Sequence, residues 1–193
     1  MAIERKNLLI ISIILVAIVI ISLMLMNKKE YKEVSLDGNY IKYQTLNDLE
    51  NGAQLIILAE PLKSFNDRTH KTTYYADGAI QDFYTLTDVK IHKIYKKPNE
   101  LNLDSKQLSI VEPVGIMKRN SGNFKLLSNH FVELNQGNKY ILFLAKNSFG
   151  QYSIINSNEG KYNIDGKDQK DDGEHASDKL KIKKDLLAKY EVE

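Results

Sequence analysis

The polar excursion from Leu62 to Gln81 carries the side chains best suited to touch a ligand: Asp67, Arg68, His70, Lys71, Tyr74 and Tyr75. Charged heads beside aromatic rings offer polar contacts and stacking surfaces, and long excursions from a small β core are commonly functional. Asp67, Arg68, His70, Tyr74 and Tyr75 are therefore the candidate binding residues. The competing reading is a hairpin extension whose polar groups face water. Glu60 and Glu112 are the carboxylates that a hydrolytic site would use, if folding brings them together.

Other reaction chemistry finds no pattern to support it. The chain holds neither a G-x-x-x-x-G-K-[ST] phosphate cradle nor a G-x-S-x-G nucleophile elbow. His70, His92, His130 and His175 form no H-E-x-x-H and no pair spaced for one helical face. The acidic stretch Asp165, Asp168, Asp171, Asp172, Glu174 invites a calcium reading, but an EF-hand started at Asp168 fails at Lys170 and Lys179. A flexible, solvated loop from Asp165 to Asp178 is the expectation, with an irregular calcium site as the alternative. No metal, cofactor or catalytic residue is assigned.

The elements that would position these groups are mostly strands. Thr45 to Gly52 reads as a small helix, with Thr45 as its N-cap and Gly52 as a left-handed terminator. Gln54 to Pro61 is apolar on both faces, as a central strand is. Phe83, Thr85, Thr87, Val89 and Ile91 alternate along a long strand from Phe83 to Tyr95. The alternation slips at His92-Lys93, which predicts a bulge or bend. Gln107–Glu112 is a strand closed by Pro113; Asn123–Leu127 and Phe131–Leu134 are two further runs. Asn135-Gln136-Gly137-Asn138 is a turn, Lys139–Ala145 a second central strand, and Tyr152–Ile155 and Lys161–Ile164 complete the β region. Short strands with regular turns predict a mainly β fold, a small antiparallel barrel (OB-like) or a sandwich with short helices. The tail from Ser177 to Tyr190 predicts a basic amphipathic helix, with Leu180, Ile182, Leu186, Leu187 and Tyr190 on one side. Packing on its own domain is preferred over an anionic membrane surface.

Leu8 to Met26 contains no charge, and its nineteen residues reach about 28 Å as a helix, close to the thickness of a bilayer core. Ser22-Leu23-Met24-Leu25-Met26-Asn27 lacks the small-residue pair of a signal-peptide cleavage site, so an uncleaved transmembrane helix is expected. Arg5 and Lys6 before it and Lys28, Lys29 and Lys32 after it make the positive-inside rule nearly a tie. The short N-terminal flank favours the N-terminus inside and the following domain outside. The expected organisation is a flank at 1–7, an anchor at 8–26, a stalk at 27–44, a β domain at 45–165, and an acidic loop with the basic helix at 166–193.

Composition sets the remaining bounds. Hydrophobic residues at 42% and charged residues at 27% are those of a folded domain. Lys and Arg total 27 against 25 Asp and Glu, a net +2 that excludes a dedicated nucleic-acid binder. The absence of cysteine removes disulfides, thiol catalysis, zinc–thiolate sites and lipoprotein attachment.

The segments Ala53–Glu60, Phe83–Tyr95, Leu108–Gly115, Leu134–Leu144, Gln151–Ile154 and Gly160–Ile164 together resemble a family of small exported β domains of Gram-positive bacteria, over roughly residues 45–165. The resemblance implies a small barrel held by a membrane or lipoprotein anchor, and it implies no catalytic residues. The resulting expectation is a single-pass membrane protein displaying a non-enzymatic extracytoplasmic β domain that binds a protein, peptide or cell-envelope component. The alternatives are an anchored hydrolase built on Glu60 and Glu112, and a cytoplasmic domain regulating another membrane protein.

Overall fold

The structure, a computed structural model, describes residues 7, 10–16, 31–39, 41–171 and 176–190. It divides into two units, Met1–Tyr31 and Lys32–Glu193. In the first, residues 10–16 are helical and exposed. Among the described residues no helix is long and apolar enough to cross a membrane; most of the expected anchor at 8–26 lies outside them.

In the second unit the described residues form ten strands and two helices. The strands are β1 (Lys32–Leu36), β2 (Leu55–Pro61), β3 (Thr69–Tyr74), β4 (Ile80–Lys96), β5 (Gln107–Glu112), β6 (Val114–Arg119), β7 (Gly122–Ser128), β8 (Tyr140–Lys146), β9 (Tyr152–Ile154) and β10 (Lys161–Asn163). The helices are α1 (Leu46–Gly52) and α2 (Ala176–Tyr190). The fold is mainly β and contains a closed five-stranded barrel. The pairings run β8–β2–β4–β5–β9 and return from β9 to β8. Closure depends on a parallel contact of Val111 with Ser153, the other barrel pairs being antiparallel. A second sheet, ordered β1-β7-β6, pairs β1 with β7 in parallel.

The continuous apolar runs are explained by burial on both sides. Leu55, Ile57 and Ala59 of β2 and Leu142 and Leu144 of β8 fill the barrel. Ile56, Ile141 and Phe143 face outward beneath Leu46 and Leu49 of α1 and Ile182 and Leu186 of α2. Alternation therefore survives in the packing but vanishes from the hydropathy, as in any doubly covered strand. In β4 the expected slip is present: Leu58 lies opposite Lys93 and Ala59 opposite Ile91, so His92 is the extra residue of a bulge.

The Thr45 cap forms as expected, its hydroxyl accepting from Asp48 N at 3.1 Å. Gly52 serves a different purpose from the one expected. It is not among the residues with positive φ; instead a Cβ there would stand 2.3 Å from Tyr43 Cζ, so the side-chain space is taken by that ring.

Four expectations are corrected. Residues 32–36, inside the expected stalk at 27–44, form β1, because β7 offers them a ladder. A strand follows Pro113, where the sequence pattern predicts only the close of the preceding one. Proline ends β5, yet the chain resumes at once as β6, with Gly115 facing the backbone of Tyr84 and Lys71. Phe131–Leu134, read as a strand, is irregular. Phe131 N donates to Ser128 O in a turn, and side chains meet two further amides, Val132 N by Asn158 Oδ1 and Leu134 N by Glu112 Oε2, so Phe131 and Leu134 are buried without a ladder. On α2, Lys179 turns inward at 3% exposure while Leu180 stays out at 46%.

Candidate functional site

Arg68 is not a ligand-facing residue. It follows a 3-10 turn at Phe65–Asp67 and points inward, where its Nη1 donates to Glu112 Oε1 at 2.7 Å between side chains almost wholly excluded from solvent. Nη1 also reaches Thr87 Oγ1, Nη2 donates to Leu134 O and Lys63 O, and Nε donates to Lys63 O. All five guanidinium N–H groups are thus engaged. Glu112 accepts in turn from Arg68, the Thr87 hydroxyl and Leu134 N. Burial pushes its carboxyl above the ordinary range, and Arg68 with the other two donors pulls it back.

The other expected binding residues scatter. Asp67 accepts from Ser64 Oγ at 2.5 Å at the turn. His70 is half-buried with Nδ1 2.8 Å from Thr85 Oγ1, whose proton goes to Val114 O; the imidazole N–H is therefore the donor. Burial lowers its pKa, and Arg68 and Lys118 lower it further. Tyr74 and Tyr75 are exposed near the end of the β3–β4 hairpin. Glu60 pairs with Lys90 and His92 near the surface, while Glu112 is sealed inside. Folding does not bring these two carboxylates together in either of the cavities described below.

The acidic stretch, expected to be solvated, is partly core. Asp171 is 2% exposed, with Oδ1 2.5 Å from Lys161 Nζ and 3.0 Å from Lys179 Nζ, and Oδ2 accepting from Asn163 N. The Lys161 ammonium lies over the rings of Phe131 and Tyr140, and that of Lys179 over Tyr162. Burial alone would raise the Asp171 pKa; the two lysines and the Asn163 amide hold it below the ordinary carboxylate range. Asp168 accepts from Tyr140 Oη at 2.7 Å, and Asp165 from the amides of Lys139 and Lys167. Among the described residues no group of three or more His, Asp or Glu is disposed to hold a metal ion.

Two concavities among the described residues bear on binding. A small one of about 120 Å³ is lined by Lys63, Arg68, Thr69, Leu86, Asp88 and Ser109, and its floor is the fully engaged guanidinium. A larger groove of about 290 Å³ runs along the seam between the two sheets. Its walls are Pro113 after β5, Ser128 and Asn129 after β7, Ser153 to Ser157 at β9, and Ile41 and Tyr43 from the segment joining β1 to α1. No lining residue is charged.

The groove is built by asparagines that sequence patterns do not flag. Asn129, His130, Asn156 and Ser157 all have φ between 50° and 57°, four non-glycine residues in the left-handed region at one place. Asn156 Oδ1 accepts from Tyr43 N and its Nδ2 donates to Tyr43 O, so one side chain imitates a strand neighbour. Asn129 Oδ1 accepts from Gly38 N at 2.9 Å. The strap is pinned at both ends, and Ile41 between them is 72% exposed. The Ser157 hydroxyl is buried with no hydrogen-bond partner among the described residues.

No family model and no curated protein matches this chain.

Proposed function

We propose that the chain is a single-pass membrane protein whose β domain is a non-enzymatic binding module, and that the seam groove receives an uncharged, partly apolar segment of a protein or peptide. Numbering the barrel strands in chain order, the circuit reads 1-2-3-5-4-1 with one parallel pair, the arrangement of an OB-type Greek-key barrel. That fold hosts many functions, so the site must carry the argument. The observation that carries it is the groove's lining: aliphatic side chains, hydroxyls and amides, an unpartnered Ser157 hydroxyl, and backbone strain concentrated around it. Such strain persists where surrounding structure holds it, commonly at binding sites. The charged groups in the interior are meanwhile occupied with one another, Arg68 with Glu112 and Asp171 with two lysines. The uncharged run at 8–26 and the resemblance to exported Gram-positive β domains support a membrane anchor with the domain outside.

The test is selection from a displayed peptide library on the full chain in lipid nanodiscs. Uncharged peptides with apolar residues are expected to enrich. Ile41→Arg, which puts a charge on the exposed strap, is expected to weaken their binding at least about tenfold, some 1.4 kcal/mol. Enrichment no better than on empty nanodiscs, or binding untouched by Ile41→Arg, overturns the groove assignment. Placement is tested separately: protease added to intact cells is expected to remove a C-terminal tag, and a protected tag puts the domain inside.

A further inference from the structure

The β6–β7 hairpin carries two cations that enter no ion pair among the described residues. Between Glu112 and Glu133 the chain contains no acidic residue. Lys118 and Arg119, at the end of β6, are exposed and enter no ion pair among the described residues. The parallel register sets Lys32 opposite Phe124, and the antiparallel register sets Phe124 opposite Met117. Lys32, also exposed, therefore stands at the same end of this sheet as the hairpin turn 119–122. Glu33 and Glu133, acidic residues beside this sheet, both pair with Lys125, at 3.3 Å and 2.7 Å. The end of the sheet that receives the chain from the apolar segment is basic, and the groove begins at its other end, after Ser128.

Covalent reach ties this basic end to lipid. Lys32 follows Met26 by six residues, which span at most about 20 Å. Lys28, Lys29 and Glu30 stand within that connection, which leaves it with one net positive charge. We infer that Lys32, Lys118 and Arg119 form a docking edge for the anionic head groups of the membrane that holds the anchor. The inference rests on the anchor reading of residues 8–26. Basic residues within a Debye length of an anionic surface are attracted additively, so three on one edge suffice to bias how the domain stands. The groove, a seven-residue strand or about 20 Å along β7, is then held away from the head groups.

The absence of cysteine makes the test clean. The full chain carrying Ser121→Cys, spin-labelled in the hairpin turn, is placed in nanodiscs of phosphatidylcholine alone or with about 30% phosphatidylglycerol. Collisions with a water-soluble relaxation agent are expected to fall about threefold in the anionic discs. The protection should vanish at about 1 M salt and in Lys118→Glu/Arg119→Glu. Equal collision rates in the two lipids, with the chain incorporated in both, overturn the docking edge and leave the anchor standing. Protection that persists after charge reversal also overturns it. A chain recovered free of lipid from both preparations overturns the anchor reading, and the docking edge falls with it.

Discussion

Asp171→Asn is expected to lower the unfolding free energy by about 3–5 kcal/mol, because it removes the carboxylate that the buried Lys161 and Lys179 ammonium groups both face. Lys161 is fully buried and Lys179 nearly so, and the carboxylate they share is their common counter-charge. Their aromatic neighbours supply quadrupole attraction, which is too weak to replace a formal charge. Asparagine keeps an oxygen for the Asn163 amide, so the loss reports charge rather than a broken hydrogen bond. The measurement is urea unfolding of the full chain in detergent, followed by the tyrosines that stand in for the absent tryptophan. Adding Lys161→Met and Lys179→Met to Asp171→Asn should recover most of the loss, since an apolar cluster needs no counter-ion. A loss under about 1 kcal/mol would mean that water reaches the lysines.

The same carboxylate sets an acid limit. Its pKa in the fold is below the ordinary value near 4, so the native state binds its proton less readily than the unfolded chain. The stability it contributes is complete above that ordinary value and is lost as pH falls toward the depressed one. Urea midpoints of the parent should decline from about pH 5 downward, and Asp171→Asn should flatten this decline.

Arg68→Ala is the second large effect, also about 3–5 kcal/mol at neutral pH. It leaves Glu112 in the core with the Thr87 hydroxyl, the Leu134 amide and the longer-range attraction of Lys161, but no hydrogen-bonded cation. It also frees the carbonyls of Lys63 and Leu134, which the guanidinium now ties together across the sequence. Here the pH dependence has the opposite sign. Burial already raises the Glu112 pKa, and removing Arg68 raises it further. Protonation then relieves the variant: its deficit relative to the parent is smallest below the ordinary glutamate value and grows as pH climbs through the raised one. Arg68→Met/Glu112→Gln should recover much of the loss at neutral pH, since no charge remains. A deficit for Arg68→Ala that is constant across pH would show that packing, not charge, is what Arg68 supplies.

These two clusters mark where sequence reading reaches its limit. Arg68 and Asp67 are neighbours in a polar stretch, and nothing local distinguishes the one that turns inward. Its partner Glu112 lies 44 residues away. Asp168 and Asp171 read as solvated for the same reason. Asp168 is buried against the Tyr140 hydroxyl, and the burial of Asp171 depends on Lys161 and Lys179, ten and eight residues away, which β10 and α2 bring together. The seam groove is harder still to foresee: its lining comes from four separate stretches, and its asparagines act through backbone angles that composition does not encode.

What the chain declared by itself was local. The Thr45 cap, the bulge at His92, the turn at Asn135–Asn138 and the doubly apolar strands β2 and β8 each follow from steric or hydropathic rules acting over a few residues. The mainly β class follows from their sum. Tertiary structure decided what required partners from elsewhere: β1 and β6, whose ladders lie in a second sheet; the burial of Arg68, Lys161 and Asp171; and the groove where the sheets meet. A charge enters the core only if its counter-charge arrives there too. That meeting is a property of the folded chain, and no window of sequence contains it.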